Sequence, residues 1–165
     1  MRLHVEGEFC AAHRLHGHPG KCAHFHGHTY FVQVDLEIPD KDIFKTDKNM
    51  AVDFSELEGV FRGHLNVADH KCWLSKKSCE LLFGTYSFTK IADGTLRVTL
   101  TPYEKDFGII VTDGEPTAEL MARQIYRWLE PDYLKLGKSR LVKISLIGVT
   151  VWETDEQGAT YAPDL

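Results

Sequence analysis

The stretch Phe25-His26-Gly27-His28-Thr29-Tyr30-Phe31-Val32-Gln33-Val34-Asp35-Leu36-Glu37-Ile38 changes character at every second residue. Tyr30, Val32, Val34, Leu36 and Ile38 fall on one side, and Gln33, Asp35 and Glu37 on the other. Successive side chains of a strand point to opposite faces, so this is the pattern of a strand buried on one face. Upstream, Leu3, Val5 and Phe9 alternate in the same way with Arg2, His4, Glu6 and Glu8 over residues 1–12. The turn-forming run His16-Gly17-His18-Pro19-Gly20 separates the two. They read as an antiparallel hairpin with a long tip loop between Arg14 and His24.

Downstream the period changes. Asp53-Phe54-Ser55-Glu56 is a capping-box pattern, and Phe54, Leu57, Phe61 and Leu65 recur at helical spacing, predicting a helix over 54–67. Cys72 to Phe83 reads as a short helix, and Leu96–Leu100 and Ile109–Val111 as strands of a hairpin-like excursion spanning about 71–115. A second helix opens at Pro116-Thr117-Ala118-Glu119, with Ala118, Met121, Ile125 and Trp128 as its apolar stripe. Leu141–Trp152 and Ala159–Ala162 read as closing strands. The expected layout is β-β-α-(insert)-α-β-β: an α+β fold with two helices on one face of an antiparallel sheet, in one domain over residues 1–165.

Composition narrows the function. The 165 residues are 43% hydrophobic and 26% charged, average for a folded chain. A balance of 19 basic against 24 acidic residues, net −5, argues against non-specific nucleic-acid binding, which needs a basic surface. No run approaches the roughly 20 apolar residues that cross a bilayer, and acidic residues interrupt the N-terminus at once, unlike a signal peptide. A soluble, cytoplasmic protein is expected, which makes a disulfide framework among Cys10, Cys22, Cys72 and Cys79 unlooked for.

Six of the nine histidines (His13, His16, His18, His24, His26 and His28) crowd residues 13–28. Strand phase sorts them. His26 and His28 continue the face of Tyr30 and Val32, and His13 continues that of Val5 and Phe9, so these three converge. Three neutral imidazoles bind Zn²⁺ and leave a fourth position open, the pattern of a catalytic site. A closed Cys10/His13/Cys22/His26 zinc site is the rival arrangement, disfavoured because Cys10 lies on the strand face opposite His13. His16, His18 and His24 read as loop residues, and Cys10, Cys72 and Cys79 as packing residues. Cys22 lies four residues before His26, where a nearby dication makes a thiol a base or nucleophile; the plainer reading is an inert loop cysteine. Asp69-His70 suits proton transfer, or is simply a polar helix end. Glu153 is either a solvated strand end or a buried anchor, and Glu119 is a first-turn glutamate that the helix dipole is enough to explain.

Taken together, Cys22-x3-His26-Gly27-His28, Ala12-His13-Arg14-Leu15, Asp69-His70, Pro116-Thr117-Ala118-Glu119 and Trp152-Glu153-Thr154 resemble the 6-pyruvoyl-tetrahydropterin synthase / 6-carboxytetrahydropterin synthase family, over residues 3–70 and 109–162. The resemblance implies the tunnelling (T-) fold, a homohexamer with active sites between subunits, and Zn²⁺ held by His13, His26 and His28. It implies Cys22 as proton-abstracting base, Asp69 and His70 as relay, Glu153 as pterin anchor and relay partner, and Thr117 and Glu119 as further pterin contacts. The implied reaction converts 7,8-dihydroneopterin triphosphate to 6-carboxy-5,6,7,8-tetrahydropterin, a queuosine precursor, releasing triphosphate and acetaldehyde. The alternatives are the 6-pyruvoyl product of the biopterin route, or a zinc- or pterin-binding module without catalysis. Arg14, Lys21 and Lys71 are candidates for a basic rim around the triphosphate. The chain departs from the family in Ala68-Asp69-His70-Lys71-Cys72-Trp73-Leu74, which lacks the usual Asn, and in its longer 71–115 segment.

Overall fold

The computed structural model describes residues 1–45, 49–83, 86–90, 96–100 and 108–163. The predicted hairpin is its centre. Strand β1 (Arg2–His13) pairs antiparallel with β2 (His26–Glu37) along an unbroken register from Arg2↔Glu37 to His13↔His26. Alternation decides which face is buried: Val5, Phe9, Tyr30, Val32, Val34 and Leu36 are each 5% exposed or less, whereas His4, Glu6 and Glu8 face outward.

Helix α1 (Asp40–Ile43) is a single turn after β2. Helix α2 (Phe54–Ala68) carries the predicted capping box: the Asp53 carboxylate accepts the Ser55 N–H, and Glu56 reaches back to the Asp53 N–H. Its buried stripe is Leu57, Phe61, Leu65 and Ala68. Phe54 departs from expectation, standing 54% exposed in the first turn. Helix α2 packs on β1, where Gly7 leaves room for Phe61: a Cβ at Gly7 would lie 2.9 Å from that ring.

The segment after α2 differs most from its sequence reading. Lys71–Ser75 is strand β3, and only Lys76–Phe83 is helix, α3. Strands β4 (Tyr86–Lys90) and β5 (Leu96–Leu100) form an antiparallel hairpin, and β6 (Ile109–Thr112) follows. All of them extend the main sheet. Helix α4 (Ala118–Arg140), β7 (Ser145–Thr154) and β8 (Gln157–Tyr161) complete the chain, in the sheet order β4-β5-β6-β3-β1-β2-β7-β8. The α+β class holds, but the sheet is mixed rather than antiparallel throughout, because β3 runs parallel to both β1 and β6. The last long strand starts at Ser145, not Leu141: α4 runs to Arg140 and Leu141 caps it with φ +57°.

Two layers result. Helices α2 and α4 touch each other and cover the face carrying Phe9, Tyr30, Trp73 and Val151, giving the large core. Helix α3 covers the opposite face at the β3–β6 edge, where Leu74, Cys79, Ile109 and Val111 cluster with Cys72. That placement puts the short helix of the insert on the side opposite the two long ones. It also explains why all four residues of β6 are buried, since both faces of that strand are covered. Cys72 and Cys79 pack as expected, and burial pushes each thiol up to about 11. Cys10 does not: it is exposed on the outer sheet face, its Sγ 3.6 Å from Thr29 Oγ1.

Candidate metal centre and cleft

His13 closes β1, His26 opens β2, and the register sets them opposite one another, with His28 two residues further along the same face. The His13 and His26 Nε2 atoms lie 3.0 Å apart, and one ring nitrogen from each of the three residues falls within 4.8 Å of the other two. Gly27 makes the spacing possible. A Cβ there would stand 2.9 Å from the Ala11 carbonyl oxygen, so a side chain between the two histidines would push the strands apart.

The outer ring nitrogens fix the inner ones. His13 Nδ1–H donates to the Pro116 carbonyl at 2.8 Å, and His26 Nδ1–H to the His24 carbonyl at 2.9 Å. Each bond selects the tautomer whose Nε2 lone pair faces the cluster. Burial holds His13 below its ordinary pKa, against the opposing effect of the Pro116 carbonyl and Glu153, so the ring stays neutral near pH 7. His28 Nε2 is buried without a hydrogen-bond partner among the described residues. A tetrahedral ion with bonds of about 2.0–2.1 Å spaces its donors about 3.3 Å apart. The His13 and His26 nitrogens stand near that spacing and all three lie within 4.8 Å of one another, so the set, with His28 Nε2 otherwise orphaned, suits a divalent ion such as Zn²⁺. The rival set fails because Cys10 lies on the other face.

Beside the cluster is a cleft of about 270 Å³ lined by His13, Leu15, Cys22, Thr117, Glu119 and Glu153, among others. Cys22 sits in a short 3-10 turn (Lys21–Ala23) of the tip loop. Glu153 Oε1 lies 3.9 Å from His13 Nε2. Thr117 caps α4, its Oγ1 accepting the Leu120 N–H at 3.4 Å. Its hydroxyl also bonds Glu119, and with the Glu119 backbone N–H it holds that carboxyl below the usual range. The cleft therefore sets a thiol, the His13 corner of the imidazole cluster and two carboxylates around one space. Such a set can bind a polar heterocycle and move protons on it.

Asp69 and His70 are elsewhere. Asp69 ends α2, its Oδ1 accepting the Cys10 N–H at 2.8 Å and its Oδ2 2.7 Å from His70 Nδ1. His70, with φ +56° and its side chain 82% exposed, lines a different cleft of about 530 Å³ with Cys10, Gly27, His28, Thr29 and Lys71, so His28 borders it while Cys22 does not. Within one chain, then, the pair does not share a cleft with Cys22. The basic rim is divided too. Arg14 stands over the Phe25 ring and Lys21 lies in the tip loop, while Lys71 faces the His70 cleft. His16, His18 and His24 stay outside the cluster, His18 Nδ1 accepting the Gly20 N–H.

Sequence reading missed the carbonyls of His24 and Pro116, which no pattern marks. It also left Tyr30 as a core residue. Tyr30 has no exposed surface, and its ring lies 5.4 Å from that of His28 and 5.9 Å from that of His13. Burial, then the charges of Glu153 and Cys22, push the phenol well above its usual pKa, so it remains a neutral O–H. Its parity with His26 and His28 was the available signal.

Comparison with known proteins agrees with this layout. The family described as 6-pyruvoyl tetrahydropterin synthase matches residues 2–164. The 6-carboxy-5,6,7,8-tetrahydropterin synthase of Haemophilus influenzae is 28% identical over 163 residues, 98% of each chain. An enzyme of the same description from Rickettsia bellii is 34% identical over 56 residues, 34% of this chain and 38% of that one. Among solved structures, an uncharacterized protein from Wolinella succinogenes superposes with a TM-score of 0.76 at 20% identity, covering 99% of this chain and 98% of that one. The 6-pyruvoyl tetrahydropterin synthase of Plasmodium vivax gives 0.63 at 22%, covering 98% and 96%. These structural likenesses carry the fold.

Proposed function

The chain belongs to the 6-pyruvoyl tetrahydropterin synthase family, and on that premise we propose that it is a zinc-dependent 6-carboxytetrahydropterin synthase. With one water consumed, it converts 7,8-dihydroneopterin triphosphate to 6-carboxy-5,6,7,8-tetrahydropterin, releasing triphosphate and acetaldehyde, and so supplies a queuosine precursor. The full-length likeness to the Haemophilus influenzae enzyme supports this product. The observation that carries the reading is the cluster of His13, His26 and His28 beside the cleft of Cys22, Glu119 and Glu153.

His13, His26 and His28 would hold the Zn²⁺, which when bound acts as a Lewis acid on the substrate's side-chain hydroxyls. The remaining work belongs to the chain. Glu153 accepts the paired N–H donors of the pterin's guanidine-like edge, a charge-assisted contact stronger than a neutral one. Glu119, kept ionised by Thr117, supports the ring from the start of α4. Cys22 removes a proton from the side-chain carbon beside the bound hydroxyls. His70, oriented by Asp69, handles a proton on the other side of that chain. Because His70 faces a separate cleft, this relay requires a neighbouring copy to bring its Asp69-His70 pair against Cys22. We therefore assign a homo-oligomer, a hexamer by family resemblance, with sites at subunit boundaries. Among the described residues no helix is long and apolar enough to cross a membrane, which suits the proposed cytoplasmic enzyme.

Incubating the purified protein with 7,8-dihydroneopterin triphosphate tests the reading. It predicts triphosphate, acetaldehyde and 6-carboxytetrahydropterin. Triphosphate without acetaldehyde points to the 6-pyruvoyl product instead, and no turnover by zinc-loaded protein leaves the non-catalytic module.

A further inference from the structure

The buried tyrosines are not equivalent. Tyr126 donates to the Leu146 carbonyl at 3.1 Å and Tyr133 to the Leu57 carbonyl at 3.1 Å. Tyr30 is as deeply enclosed, yet among the described residues its hydroxyl has no partner. A buried hydroxyl without a partner is a net cost, because it gives up its hydrogen bonds to water and gains none. Phenylalanine would fill the same space against Phe9, whose ring stacks on Tyr30 at 5.1 Å. The indole nitrogens of Trp73 and Trp128 are also unpartnered, but no smaller ring replaces tryptophan without leaving a void. The Tyr30 oxygen has no such packing role.

A candidate acceptor is one strand away. Pairing of β2 with β7 ends at Phe31 and Trp152, so Tyr30 and Glu153 are the next residues along two adjacent strands, at a point where β7 is irregular against β8. Glu153 stands on the same side as Tyr30, since its Oε1 approaches His13 Nε2. At 3.9 Å that approach is longer than a hydrogen bond. Among the described residues, then, a hydroxyl without an acceptor and a carboxylate without a close donor stand on adjacent strands.

We propose that the Tyr30 hydroxyl is a positioning donor for the Glu153 carboxylate, directly or through one enclosed water, and that it fixes the oxygens that receive the substrate's guanidine-like edge. The inference rests on the reading of Glu153 as pterin anchor. Tyr30 itself does not line the cleft. It acts on the substrate through Glu153, and its contribution belongs to binding rather than to the bond-breaking step.

The test compares Tyr30→Phe, Glu153→Gln and the double variant in the full-length protein. The probe is 7,8-dihydroneopterin, the substrate without its phosphates, titrated by fluorescence at equilibrium. Tyr30→Phe should raise its Kd about tenfold, with metal content unchanged and the melting temperature at or above the parent's. The double variant should bind no worse than Glu153→Gln alone, because the tyrosine has nothing left to position. In turnover, Tyr30→Phe should raise KM with little change in kcat. An unchanged Kd for Tyr30→Phe, or penalties that multiply in the double variant, overturns the inference while leaving Glu153 as anchor. A lower melting temperature with lost metal also overturns it, placing the hydroxyl in the fold. An unchanged Kd for Glu153→Gln removes the anchor, and this inference falls with it.

Discussion

His13 Nδ1 lies 2.8 Å from the Pro116 carbonyl oxygen, so the end of β1 is tied to the residue that leads into α4. The same bond aims His13 Nε2 at His26 and sets the Thr117–Glu119 corner beside the cluster. A hydrogen bond behind a ligand is worth 10- to 100-fold in metal affinity in comparable sites. Pro116→Gly frees the backbone at the acceptor, and we expect it to weaken zinc binding about tenfold in competition with a chelator. Equal affinity would show that the carbonyl does not orient the ring.

Gly27 offers a sharper structural test. Its hypothetical Cβ stands 2.9 Å from a backbone oxygen, which cannot swing aside as a side chain can. Gly27→Ala should cost about 1–3 kcal/mol, the usual penalty for overpacking. The hairpin must part where His26 and His28 project, so metal should be lost before the fold. Denaturant melts with metal analysis check both, and a variant with parental stability and full metal content contradicts the close-approach argument.

For Cys22, the expectation separates chemistry from binding. Cys22→Ala should keep the metal, whose ligand cluster does not include it. Turnover should fall by 10² or more, the scale on which a positioned base contributes. Steady-state rates beside metal content decide the matter, and parental turnover removes Cys22 from the mechanism.

Asp69 gives a pH dependence of known sign. The Cys10 N–H, then the His70 ring, hold its carboxyl below the usual value of about 3.9. A carboxylate depressed in the folded state stabilises above its unfolded pKa, and that stability is lost as pH falls through the folded one. Below about pH 4, then, part of the acid sensitivity belongs to Asp69. Asp69→Asn should be less stable than the parent at pH 6, with the gap closing towards pH 3. Denaturation midpoints across that range measure the gap, and a constant gap denies the linkage.

Much of this was legible beforehand, for a physical reason: a strand of period two and a helix of period 3.6 announce their buried faces. The hairpin, α2 and the α4 stripe of Ala118, Met121, Ile125 and Trp128 follow that rule. The same parity brought His13, His26 and His28 together on paper. The 71–115 segment was legible in part: Leu96–Leu100 and Ile109–Val111 read as the strands they form, but Lys71–Ser75 is too short to show a period and falls into the helix expected from Cys72. Phe54 misled because helical spacing does not say whether the first turn reaches the core. The separation of Asp69-His70 from Cys22 lay beyond any local pattern, since it depends on which side of β1 the end of α2 lands.

The most direct test of the account is metal stoichiometry on the purified protein and on His28→Ala, the variant that removes the nitrogen left without a partner. We predict one zinc per chain in the parent and none in the folded variant, with helix and strand content preserved by circular dichroism. Zinc retained by folded His28→Ala, or a parent that binds none at saturating metal, contradicts the three-histidine centre on which the proposed chemistry stands.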